Sequence, residues 1–77
     1  MKRIRARVGA HELEGGVGAA LSAAARVAAL LPDNYRIVGS PAPGVYAIEG
    51  EDVAGWTAQD YVIPRLASGL IVAEEVD

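Results

Sequence analysis

The chain has no cysteine and no phenylalanine, and tryptophan, methionine and histidine occur once each. Without cysteine no disulfide staples the fold, and thiolate chemistry, thiolate zinc sites and iron–sulfur clusters are excluded. Without phenylalanine the core falls to many small aliphatic side chains and a few tyrosines. Such side chains bury little area each, and 77 residues lie near the lower size at which a hydrophobic core suffices alone. Extra burial, by self-association or on a partner, is therefore expected. No apolar stretch approaches the roughly 18 residues of a membrane helix. The basic start Met1–Arg7 is followed by His11, Glu12 and Glu14 instead of the apolar run of a signal peptide. A single cytoplasmic domain over residues 1–77, with no membrane partner, is the expectation.

What is present is strong periodicity. Residues 2 to 8 alternate, Arg3, Arg5 and Arg7 against Ile4, Ala6 and Val8, which is the period of a half-buried strand. A polar connection runs from Gly9 to Gly16. Val17, Leu21, Ala24, Ala28 and Leu31 then recur at spacings of three and four, predicting a helix with those residues inward, ended by Pro32. Tyr35–Val38 and Val45–Glu49 read as two strands of a hairpin, joined by a loop over residues 39–44. Thr57 and Asp60 form a capping box, flanked by Trp56 and Tyr61 in the positions of a hydrophobic staple. A second helix is predicted to start at Thr57, short or kinked because of Pro64, and to close on a left-handed Gly69 before a last strand at Leu70–Ala73. The order β-α-β-β-α-β predicts an α+β fold of the ferredoxin-like, split βαβ kind, a four-stranded antiparallel sheet with two helices on one face.

Charge is uneven along the chain. Residues 1–48 carry six basic side chains against three acidic ones, whereas residues 49–77 carry seven acidic ones against Arg65 alone. In the expected sheet Arg3, Arg5 and Arg7 sit between two strands and meet Glu49 on one and Glu75 on the other. The arginine column is then either a solvated ladder of opposite charges or a face for a nucleic-acid backbone or an acidic protein. For nucleic acid, Tyr35 and Tyr46 are the strand aromatics that could stack on bases. Glu74, Glu75 and Asp77 close the sequence as an acidic group.

Chemistry-bearing patterns are weak. Gly15-Gly16-Val17-Gly18 matches neither the dinucleotide nor the P-loop spacing, and Glu12 and Glu14 beside it would repel an anion. His11, Glu12 and Glu14 lack a distant further ligand for a metal, and no serine or threonine is paired with a recognisable base. No catalytic residue, metal or cofactor is expected. The predicted outer side of the first helix, with Ala19, Ala23 and Arg26, is smooth and low in charge, a surface for close approach of a second copy or a partner. Trp56 belongs to a residue type enriched at binding hot spots. These residues, with Arg3, Arg5 and Arg7, are the candidate contact set. They point to a non-enzymatic protein-interaction module, homo-oligomeric or docked on a larger assembly as an accessory factor or inhibitor. Small phage-borne inhibitors, anti-CRISPR proteins among them, share this profile of size and composition. The alternative is a nucleic-acid-binding domain that uses the arginine-lined sheet face.

Overall fold

Alternation in the first residues does what the period demands. Lys2–Arg7 forms strand β1, with Ile4 and Ala6 buried on one side and the arginines exposed on the other. The computed structural model describes residues 1–76. After β1 come a 3₁₀ turn at Ala10–Leu13, helix α1 at Val17–Ala29, strands β2 at Tyr35–Ala42 and β3 at Val45–Gly50, a π-helical turn at Ala58–Val62, helix α2 at Ile63–Ser68 and strand β4 at Val72–Val76. The strands lie in the order β2-β3-β1-β4, and every neighbouring pair is antiparallel. The chain is thus a small α+β domain with a four-stranded antiparallel sheet and two helices. Ile4 and Ala6 of β1, Tyr46 and Ile48 of β3, Val27 of α1 and Leu66 of α2 belong to one buried cluster. Both helices therefore cover the same side of the sheet, and the arginine side is open.

Local structure departs from the sequence reading in four places. The loop expected over residues 39–44 is largely strand, because β2 continues to Ala42 through two register shifts. Pro41 is tolerated there since β2 is an edge and owes no amide donor to an outer neighbour. The Ser40 hydroxyl donates to the carbonyls of Ala42 and Val45, leaving a tight turn at Gly44, whose φ is 75°. Pro64 leaves the second helix short, as expected, and the departure is a π-helical turn ahead of it. The ladder widens before it, with Val62 N–H bonded to the Thr57 carbonyl and Ile63 N–H to the Ala58 carbonyl, which relieves the clash a proline ring makes one turn back. The left-handed residue after α2 is Leu70, at φ 64°, while Gly69 sits at φ −92°. Finally β4 starts at Val72, two residues later than expected.

The connection from β3 to the second helix is pinned by polar contacts. Tyr35 is buried, and its hydroxyl donates to Asp52 at 2.6 Å. The amide of Ala58 donates to the same carboxylate at 2.8 Å, and Lys2 Nζ lies 2.9 Å from it. These contacts, the tyrosine hydroxyl first, hold Asp52 at a pKa of about 2. Burial, then the carboxylate, raises Tyr35 above the ordinary tyrosine range. The Asn34 side-chain amide donates to the carbonyls of Glu51 and Trp56 at 2.8 and 2.9 Å. Beside this knot a Cβ on Gly50 would stand 2.2 Å from the Asn34 carbonyl oxygen and 2.5 Å from the Tyr35 ring.

Two outcomes follow. Gly50→Ala must displace backbone, so it is expected to lower stability by about 1–3 kcal/mol or more in denaturant titrations; an unchanged midpoint would contradict the packing. For Asp52 the folded pKa lies below the ordinary 3.8, so its charge stabilises the fold above that value, and the contribution is lost as pH falls toward about 2. Asp52→Asn is accordingly less stable than the parent at neutral pH and flattens the loss of stability between pH 4 and pH 2, as read by thermal melts at stepped pH.

Candidate interaction surfaces

On the open sheet face β1 sets three rows. Arg3 lies between Glu49 and Val76, Arg5 between Ala47 and Glu74, and Arg7 between Val45 and Val72. Arg3 Nε is 3.6 Å from Glu49, and Arg5 pairs with Glu74 at 2.5 Å. That hydrogen bond holds Glu74 below the usual carboxylate range. Glu75, expected opposite the arginines, lies instead on the helix side of β4, where Lys2 Nζ meets it at 3.1 Å. Neighbouring strand residues face opposite sides, so taking Glu75 in place of Glu74 exchanges the faces. Asp77, counted with Glu74 and Glu75 in the acidic group, lies outside the described residues. Arg7 has no carboxylate within ion-pair distance among the described residues. Pro41, Ala47 and Val76 line a depression of about 200 Å³ between Arg3, Arg5 and Glu49.

Helix α1 is partly turned relative to the sequence expectation: Ala24 and Leu31 pack against the core as expected, whereas Val17, Leu21 and Ala28 are exposed. Ala23, expected outward, is 3% exposed and packs in the core with Val27. Ala19 is half-buried. Arg26 reaches inward, donating to the Gly69 carbonyl and to Glu12, and this bond draws Glu12 below its ordinary pKa. Ala23 is therefore unavailable to a partner, and Arg26 ties α1 to both the 3₁₀ turn and the end of α2. In an alanine-rich helix several faces satisfy the same spacing, and Val17 misleads because it is the first helical residue, at the end of the element. The face that meets solvent carries Val17 and Leu21, the latter 67% exposed, with Ala25 and Ala28 on the following turns.

A third surface lies where α2 hands over to β4. A Cβ on Gly69 would stand 2.7 Å from Leu30 Cδ1, the far end of a rotatable side chain. The reversal is left to Leu70, which is 85% exposed in a conformation that costs a non-glycine residue about 1–2 kcal/mol. Val72 beside it is 63% exposed. Leu70, Val72, Ile63 and Ala67 border a groove of about 450 Å³ along the outer edge of β4. Trp56 stacks edge-on against Tyr61 with centroids 4.6 Å apart, and the Thr57 hydroxyl accepts from the Asp60 amide at 3.1 Å. The staple and cap are formed, and the indole still leaves 45% of its residue exposed beside Pro32 and Val53.

The candidate residues are thus dispersed. Arg3, Arg5 and Arg7 share one face, Trp56 stands at the start of the second helix, and Ala19, Ala23 and Arg26 turn toward the protein. Sequence reading missed Leu21, Leu70 and Val72. For Leu21 the low charge of α1 signalled a bare face on the wrong side, whereas nothing in the sequence marks Leu70 as left-handed. Among the described residues no charged or polar residue is buried, and no three His, Asp or Glu side chains are grouped to hold a metal ion. The surfaces offer apolar contact bordered by charge.

The rotation of α1 is checked by a charge scan. Leu21→Glu is expected to keep the thermal midpoint, an effect within about 0.5 kcal/mol, whereas Ala23→Glu buries a charge and is expected to leave the domain unfolded. The reverse ranking in circular-dichroism melts would overturn the assignment of faces. Set against protein-family models, curated proteins and solved structures, the chain matches none of them.

Proposed function

We propose that the chain is a non-enzymatic, cytoplasmic protein-interaction module, one that self-associates or docks on a larger assembly as an accessory factor or inhibitor. One observation carries the reading: apolar side chains as large as those of the core, Leu21, Leu70 and Val72 among them, project into solvent from a domain with few residues to bury. Exposed apolar surface bordered by charge suits noncovalent recognition. The strand order, with β1 and β3 central, supports a ferredoxin-like split βαβ arrangement as the scaffold.

The nucleic-acid reading has less support. Tyr35 and Tyr46 point into the core, so the open face lacks a ring on which a base could stack. Arg3 and Arg5 are also engaged by Glu49 and Glu74.

Photo-crosslinking residues placed singly at positions 21 and 72 and activated in the native host test the proposal. At least one position is expected to yield a discrete crosslinked protein species. No protein adduct at either position, together with salt-sensitive oligonucleotide binding that is lost in Arg7→Ala, would favour the nucleic-acid alternative instead.

A further inference from the structure

The two edges of the sheet are treated differently. On β2 the edge is interrupted by two register shifts and by Pro41, devices that blunt a strand against further pairing. No bulge or proline interrupts β4, which spans Val72–Val76 and pairs in unbroken register with β1 from Arg3 to Arg7. Its acids do not guard it either, because Glu74 is drawn to Arg5 and Glu75 to Lys2, both on the inner side of the strand. Beside this open edge stand Leu70, held in a left-handed conformation with its side chain in solvent, and Val72.

We infer that the edge is completed by β4 of a second copy of this chain, running antiparallel around a two-fold axis at Ala73, so that two sheets join into one of eight strands. The inference rests on the interaction-module reading and names its partner. A two-fold axis perpendicular to the sheet sets each residue against its own image or against positions placed symmetrically about it. An axis at Glu74 or at Glu75 puts like charges directly opposite, which is destabilising. An axis at Val72 puts Glu74 and all that follows it beyond the end of the second copy's strand, opposite the left-handed turn at Leu70. At Ala73 the smallest side chain of the strand lies on the axis, Val72 meets Glu74 of the second copy, and the exposed Leu70 at the turn borders the Val76 end of the second copy's strand.

That register also employs Arg7, whose β4 neighbour is Val72. Glu74 of the second copy is then the next residue in the same row, about 10 Å away between backbones, a span that extended arginine and glutamate side chains close together. The open face would then alternate in sign across the junction. Glu75 of the second copy, opposite Ile71, keeps its own Lys2.

Light scattering over a wide concentration series tests this directly. The parent chain is expected to rise from the mass of one chain to that of two. Val72→Glu, which sets a like charge directly against Glu74 of the second copy, and Arg7→Glu are each expected to weaken the dimer at least tenfold with the monomer fold intact by circular dichroism. Leu70→Gly separates folding from association: relief of the left-handed leucine holds or raises the thermal midpoint of the dilute monomer, while dimerisation weakens. Leu21→Lys leaves the dimer unchanged. A parent that stays monomeric throughout, or a dimer indifferent to both Val72→Glu and Arg7→Glu, overturns the inference. A dimer dispersed by Leu21→Lys alone also overturns it, yet leaves the interaction-module reading standing on α1.

Discussion

Everything in this domain hangs on the two-sidedness of β1. Ile4 and Ala6 enter the core while Arg3, Arg5 and Arg7 stay wet, and because β1 is hydrogen-bonded on both flanks this division is imposed on the whole sheet. A strand at the centre cannot shift register by one residue without burying arginine. The helices must then gather on the one apolar side, and the opposite side must solvate three guanidinium groups.

The core under the helices is correspondingly modest. Its largest fully buried side chains are isoleucine, leucine and valine. Two tyrosines supply aromatic bulk, and both need polar company: Tyr35 finds Asp52, and the Tyr46 hydroxyl approaches the Ala20 carbonyl at 3.4 Å. Polar groups are thus spent on holding elements together, with Asp52 joining β1, β2 and the second helix and Arg26 joining three elements at the far ends of the helices. The exposed side chains of Leu21, Leu70 and Val72 take no part in these ties.

The elements were legible in the sequence where one physical rule dominated. Alternation in residues 2 to 8 allows a single strand assignment, and the Thr57 cap with its Trp56–Tyr61 staple is local enough to be read directly and is present. The face of α1 was not legible, since alanines at nearly every position leave periodicity without contrast and the decision falls to Val27, Leu30 and the inward reach of Arg26. Nor were the surfaces at Leu70 and β4. They depend on the chain reversing at Leu70, beside a Gly69 packed close to Leu30 from a distant part of the chain. The arginine column was foreseen as a group and so was Glu49 beside it, but on β4 the partner is Glu74 and not Glu75, a difference of one residue that run composition alone does not decide.

The order of the strands also bears on how the molecule comes into being. β1 is the first element of the chain and β4 the last, yet they are adjacent in the sheet, and β1 cannot be flanked on both sides until the final strand has emerged. Contacts of such sequence separation make closure slow relative to a helical bundle of this length. In a growing polypeptide the amides and carbonyls on one side of β1 wait through the making of both helices, and any strand of another nascent chain could take the vacancy first.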